Sequence, residues 1–248
     1  MSQAFTEEAV RRGVTHRCFG IGSTANVVGD LRDFTWATAY FQGRPYEPET
    51  TAFLQSHLKP GMRFVDVGAN AGYFSILAAR QTGASGRVVA VEPDPVLATR
   101  IHELATINEV AAQLVVAGVA LAAQNGDADF FPSPQAWNTG LGSLLQRGLH
   151  VPGDAFRVRT ARYDDHVPVL LGGPADIIKI DVEMSEADVL IGAERTLAES
   201  PPAWIIMESE TDGPAAHMLV ERGFRIQGEL DRSGVGMTSN LLMRYDPS

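Results

Sequence analysis

The 248-residue chain has a single cysteine, Cys18, so no disulfide can form within it, and no Cys/His cluster has the spacing of zinc ligands. A reducing cytoplasm is the expected setting. No stretch approaches the roughly 18 consecutive apolar residues of a membrane span, and the opening run MSQAFTEEAVRRG lacks an apolar signal core, which speaks against secretion and insertion. Basic residues are scarce beside acidic ones, 20 Lys+Arg against 30 Asp+Glu, for a formal charge of −10. Phosphates need a basic stripe, so RNA and DNA are disfavoured as substrates. No Gly-Lys-Ser/Thr triplet occurs, which rejects a phosphate-cradling P-loop. Repeats, low-complexity tracts and a dividing linker are also lacking, so the bulk of the chain reads as one α/β domain.

What is there is a strand ending in a glycine-rich turn, followed one strand later by an acid. Residues 64–76 read FVDVGANAGYFSI and residues 87–95 read RVVAVEPDP. Phe64, Val65 and Val67 have the look of a buried parallel strand, and the small residues from Gly68 to Gly72 turn the chain into an amphipathic helix. In such a βαβ unit ligands sit at the carboxyl ends of the strands, where glycine admits close backbone approach. Glu92 lies 24 residues after Gly68, near the distance at which a carboxylate accepts both hydroxyls of a ribose. A dinucleotide fingerprint would need glycine where Asn70 and Tyr73 stand, so a nicotinamide oxidoreductase is disfavoured. Asn70 tolerates positive φ. A carboxylate at Asp66 and no basic group in the turn suit a cationic, phosphate-free nucleoside, and S-adenosylmethionine is that ligand.

The remaining pattern alternates strands and helices. Residues 48–58 read as a helix stopped by Lys59-Pro60-Gly61, and residues 95–108 as a second helix. Strands are expected at 114–121, 129–132, 175–183 and 202–210, a helix at 186–199, and a closing pair of strands in GFRIQGELD and TSNLLMRYD. This predicts a doubly wound sheet with an antiparallel edge. Residues 1–45 read as an appendage whose aromatics Phe34, Trp36, Tyr40 and Phe41 cap the site, cover the sheet edge or form a dimer contact, and the domain proper spans 46–248.

The chain resembles the FkbM-type class I methyltransferases, from about Tyr46 to Met243. The blocks YEPET (46–50), FVDVGANAGYFSI, VVAVEPDP, LGSLL (141–145), IIKIDVE (177–183) and SNLLM (239–243) follow that family's order. The resemblance implies a Rossmann-like, mostly parallel seven-stranded sheet and O-methylation from S-adenosylmethionine onto sugars or polyketide- and peptide-type natural products. One departure stands out: the family typically continues IDVE with Gly-Ala-Glu, whereas this chain has Met184-Ser185-Glu186.

Resemblance and residues together assign candidate roles. Asp66, Gly68, Asn70 and Gly72 would line the methionine half of the cofactor, with Tyr46 and Glu47 near its amino group, Glu92 on the ribose, and Val119 and Ala120 flanking adenine or simply packing the core. Asp181, Glu183 and Glu208, acids at the ends of apolar strands, are the candidate general bases, and Asp181 also lies within reach of the cofactor. Three acids can also hold Mg²⁺, but no metal is assigned. Lys179, in a buried strand, is expected to pair with an acid. His150, His166, Trp137, Asn138 and Ser143 are weaker candidates near the acceptor. The expected acceptor is a small molecule, glycoside or peptide. A carboxylate acceptor, which needs no base, is the alternative, and a non-catalytic adenosyl-binding protein is the rival of another class; a homodimer is compatible with either.

Overall fold

The computed structural model describes residues 15–22, 24–135, 138–146, 154–231 and 239–246, together with Glu7, Arg11 and Gly13. Strands β1 (His16–Ile21) and β2 (Thr24–Asp30) form an antiparallel hairpin, followed by helices α1 (Phe34–Gln42) and α2 (Pro48–His57). The βαβ core comes next: β3 (Arg63–Val67), α3 (Tyr73–Thr82), β4 (Arg87–Val91), α4 (Pro95–Ile107) and β5 (Leu114–Ala117). Strands β6 (Ala120–Leu121), β7 (Gly126–Phe130) and β8 (Phe156–Ala161) make a second, three-stranded sheet, and helix α5 (Tyr163–Leu171) leads back to the main one. It is completed by β9 (Ile177–Ile180), α6 (Glu186–Gly192), α7 (Glu194–Glu199), β10 (Trp204–Ser209), α8 (Pro214–Glu221), β11 (Phe224–Leu230) and β12 (Ser239–Tyr245).

The main sheet has seven strands in the order β11-β12-β10-β9-β3-β4-β5, and β12 runs antiparallel to both its neighbours. The antiparallel strand thus sits one place in from the edge. From β3 the chain winds outward through β4 to β5, then returns to the other side of β3 at β9. The order reverses between β3 and β9, and a doubly wound sheet binds ligands in the crevice at the carboxyl ends of the strands flanking such a point.

Period-two alternation decides which side chains face which layer. Val65, Val67, Ile178 and Ile180 join Ile205 and Met207 in the core under α5 to α8. Phe64 and Ile177 face the opposite core under α2 to α4. Asp66 and Lys179 share that second face by parity and stand opposite one another in the parallel register of β3 and β9. Asp181 continues the same parity, and Glu208 pairs with Asn240 across β10 and β12. Sequence alternation therefore lays a polar row along one face of an otherwise apolar sheet.

Several elements differ from the sequence reading. The expected strand 114–121 breaks at Gly118, and its last two residues leave for the second sheet. The helix expected over 186–199 divides at Ala193. Just before that break, a side chain on Gly192 would collide with the carbonyl of Ala122. Helix α5 occupies a segment to which the sequence reading assigned no element, and its acidic first turn, Asp164-Asp165, suits a helix N-terminus. The described part of residues 1–45 shares the second core through Ile21, Val27, Trp36 and Ala39. Trp36 Nε1 donates to the carbonyl of Ala71, within the glycine turn, at 2.8 Å.

Candidate active site

At the carboxyl ends of β3, β4, β9 and β10 lies a cavity of about 560 Å³, within the range of small-molecule sites. Its floor is the glycine turn. Gly68 has φ +80°, and a Cβ there would collide with the carbonyl of Asp181, so only glycine allows β3 and β9 to approach so closely. The Gly68 and Ala69 amides both donate to Val91 O at 3.0 Å, tying the turn to β4. Asn70 takes φ +49° and lines the cavity.

Glu92 forms the wall at the end of β4. Its Oε2 accepts from the Asn70 amide at 2.8 Å and its Oε1 from the Asp94 amide at 2.9 Å. Burial nonetheless pushes its carboxyl up to about 7. Asp94 caps α4 by accepting from the amides of Val96 and Leu97. Val119 and Ala120 are buried and line the same end, beside Pro93 and Leu97.

The opposite end carries the acids. Carboxylate oxygens of Asp181, Glu183 and Glu208 all lie within 4.8 Å of one another. Lys179 Nζ, buried beneath them, sits 2.8 Å from Asp181 Oδ2 and 4.9 Å from the Phe74 ring centroid, so the expected pairing of this lysine is present. Burial favours the neutral form of Asp181, but the lysine charge and hydrogen bond outweigh it and hold the carboxyl low. The charge of Asp181, reinforced by burial, pushes Glu208 up to about 9, so Glu208 carries the proton of the pair and shares it with Asp181. Glu47, raised to about 7 by burial, faces the same group. Its neighbour Tyr46 packs edge-on against Phe34 and Tyr73.

The cavity thus gathers Tyr46, Glu47, Gly68, Asn70, Glu92, Val119, Ala120, Asp181, Glu183 and Glu208 in one place, as read from the sequence. Asp66 and Gly72 it does not bring to the surface. Asp66 is sealed under the sheet end, where its Oδ2 accepts from Ser75 Oγ at 2.6 Å, and the position of a Cβ on Gly72 would meet Ile101 at 3.0 Å. Both serve the packing behind the wall. Asn138 and Ser143 line the cavity too, and Ser143 Oγ donates to Glu183 O at 2.8 Å. His166 lies on α5, away from the cavity, while Trp137 and His150 fall outside the described residues.

Sequence reasoning missed Thr139, Asp231 and Asn240. Thr139 Oγ1 donates to Asp33 Oδ2 at 2.7 Å and also contacts Oδ1 of the Asn70 side chain, so α1 and the 138–141 loop meet over the glycine turn. Asp231 accepts from the Glu49 and Thr50 amides at 3.1 and 2.7 Å, capping α2 from 181 residues away. Only the SNLLM block hinted at Asn240.

Strand order, the glycine crossing and the acid one strand over define a class I, Rossmann-like methyltransferase. The methyltransferase FkbM domain matches residues 66–226, well over half of the chain, and the chain belongs to that family. A methyltransferase FkbM structure from Methylobacillus flagellatus superposes with a TM-score of 0.52 at 20% identity, covering 75% of this chain and 44% of that one. A putative rRNA-methylase from Clostridium thermocellum superposes at 0.50 with 9% identity, covering 80% of this chain and 94% of that one. At these identities both likenesses speak for the fold alone. Over 44 residues the chain is 48% identical to protein-L-isoaspartate O-methyltransferase 1 of Arabidopsis thaliana, 19% of that protein's length. The chain therefore spans less than half of the FkbM structure and about a fifth of the Arabidopsis protein.

S-adenosylmethionine is the cofactor of this family, and the residues fit it. The glycine crossing leaves room for backbone contact, Glu92 lines the cavity, and the acidic end suits an ammonium and a sulfonium. Among the described residues no helix is long and apolar enough to cross a membrane.

Proposed function

We propose that this chain is an O-methyltransferase acting on a hydroxyl of a small molecule, glycoside or peptide natural product in the cytoplasm. One observation carries this reading. The carboxyls of Asp181, Glu183 and Glu208 converge within 4.8 Å at the β9–β10 end of the cavity, where Glu208 holds a proton and Asp181 is kept ionised.

Bound S-adenosylmethionine would supply a methyl group already activated by sulfonium. The protein's tasks are to bind, orient and accept a proton. Glu92 would hold the ribose, the turn at Gly68 and Asn70 would take the methionine half by backbone approach, and Tyr46 and Glu47 would face the amino group. Val119 and Ala120 would flank adenine. At neutral pH Glu208 is protonated and Asp181 ionised, so Asp181 is the group that can receive the acceptor's proton, with the Glu183 carboxyl beside it. Lys179 keeps Asp181 ionised, which makes it a modest base, and in-line alignment must supply much of the acceleration. A positioned base adds about 10²–10⁴-fold.

A carboxylate acceptor would have to enter among these acids, which disfavours the carboxyl-transfer alternative. The test is release of S-adenosylhomocysteine from S-adenosylmethionine in the presence of hydroxylated acceptors. Turnover that falls at least a hundredfold in Asp181→Asn or Glu183→Gln, with S-adenosylhomocysteine binding kept, supports the reading. Binding without release under any acceptor would make the protein a non-catalytic adenosyl binder.

A further inference from the structure

The hairpin of β1 and β2 and the helix α1 lie outside residues 66–226 matched by the FkbM domain, yet they reach the glycine turn at two points. Trp36, in the first turn of α1, is fully buried, and its Nε1 donates to the carbonyl of Ala71 at 2.8 Å. Asp33, the N-cap of the same helix, accepts from Thr139, whose hydroxyl also contacts Oδ1 of Asn70. Positions three apart share a helix face. One face of α1 therefore grips two consecutive residues of the turn, Asn70 through Thr139 and Ala71 directly.

The indole bond satisfies both of its partners. An indole N–H is a donor only and, once buried, needs an acceptor. Ala71 is 4% exposed and stands just ahead of Gly72, the N-cap of α3, so its carbonyl comes before the helix ladder. A buried carbonyl needs a donor in turn, and the indole supplies it from 35 residues away. The hairpin makes room for this ring, because a Cβ on Gly29 of β2 would stand 2.3 Å from Trp36 Cε3. The indole also packs against Tyr73, 5.1 Å between ring centroids. Tyr73 Oη accepts from the Tyr46 amide at 3.2 Å, and Tyr46 and Glu47 line the cavity. Trp36 thus braces the glycine turn directly and the 46–47 segment through Tyr73.

We propose that Trp36 is a positioning residue of the S-adenosylmethionine site: its indole N–H holds the Ala71 carbonyl, and with it the turn from Gly68 to Gly72, in the shape that receives the methionine half of the cofactor. This rests on the reading that the turn takes that half. Without the bond the turn samples other shapes, and apparent affinity falls by the fraction of molecules that keep the receptive one. The nucleoside half would meet Glu92, Val119 and Ala120 instead, so the loss falls on ligands that carry an amino-acid tail.

The experiment is calorimetry on the full chain with S-adenosylhomocysteine and adenosine as probes. Trp36→Phe keeps a ring and removes the donor. Replacing Trp36 by benzothienylalanine keeps the fused rings and removes the N–H alone, so it preserves the packing if the phenylalanine variant fails to fold. Either change is expected to weaken S-adenosylhomocysteine about tenfold, the order of one buried hydrogen bond, and to leave adenosine within about twofold. Tyr40→Leu, which loosens the contact of α1 with Phe19 on β1, should leave both affinities unchanged. Equal losses on the two probes, or an S-adenosylhomocysteine loss as large in Tyr40→Leu, would assign Trp36 to general packing and overturn the proposal. Unaltered S-adenosylhomocysteine binding in the benzothienylalanine protein would overturn it equally. Failure of the unaltered chain to bind S-adenosylhomocysteine would instead remove the methyltransferase reading itself.

Discussion

Asn240 Nδ2 donates to Glu47 Oε2 at 2.7 Å, joining two residues 193 apart in sequence. The same amide lies 3.3 Å from Thr50 Oγ1, and Asn240 stands opposite Glu208 in the β10–β12 register. The YEPET and SNLLM blocks are therefore two halves of one contact. Together with the Asp231 cap on α2, it fixes Glu47, whose own backbone is left-handed at φ +39°, against the acceptor end of the cavity.

Asn240→Leu should leave a half-buried carboxylate without its donor. A buried group stripped of its partner costs about 1–3 kcal/mol, and urea unfolding should show a loss in that range. Glu47 should titrate above its present value of about 7, because the amide hydrogen bond favours the charged form. An unchanged unfolding midpoint would mean that the contact carries no weight.

Glu92 makes stability pH-dependent. Its folded carboxyl is raised from 4.5 to about 7, so the folded state holds a proton that the unfolded chain has released, and stability falls as pH rises through that window. At about 1.4 kcal/mol per unit the effect is on the order of 3 kcal/mol. Urea unfolding at pH 5 and pH 7 should show the decline, and Glu92→Gln should reduce it, leaving the part carried by Glu47 and Glu208. Cofactor affinity should run the other way, because the ionised carboxylate is the better acceptor for ribose hydroxyls. Affinity for S-adenosylhomocysteine should climb by up to about tenfold per unit below pH 7, and a flat profile would show that Glu92 is not the ribose ligand.

Thr139→Val removes the hydroxyl that bridges Asp33 and Asn70. Asp33, buried and already raised by burial, would keep the backbone amide and the side chain of Thr35 as partners at its α1 cap. We expect S-adenosylhomocysteine affinity to fall about fivefold, equivalent to roughly 1 kcal/mol, with Thr139→Ser restoring it. Equal affinity in all three proteins would detach the loop from the cofactor turn.

Much of this site could be read from the chain before its structure, for a physical reason. Apolar runs such as FVDV and IIKIDVE leave their terminal acids at strand ends, and parallel strands put those ends together. Asp66 was misplaced because alternation sends it to the face of Phe64, under the helices rather than into the crevice. Asp231 and Asn240 escaped because their partners lie more than 180 residues away, beyond any local pattern. The second sheet escaped because Gly118 divides what reads as one apolar strand, and α5 because a proline at 168 argues locally against a helix.

Met184 stands where the resemblance leads one to expect glycine, and its backbone shows why. It takes φ +78°, directly after Glu183 at +54°, so two consecutive side-chain-bearing residues occupy the left-handed region. The strain is held from both sides: Ser143 Oγ donates to Glu183 O, and Glu186 Oε1 accepts from the Val182 and Met184 amides. A left-handed residue with a Cβ costs about 1–2 kcal/mol, while glycine loosens the unfolded chain by roughly 0.4–1 kcal/mol. The Met184 side chain is 67% exposed and brings little burial to offset the strain. Met184→Gly should therefore stabilise the fold by a few tenths to about 1 kcal/mol, raising Tm by roughly 1–4 °C for a domain of this size. A lower Tm would mean that the exposed thioether makes contacts strong enough to outweigh its backbone.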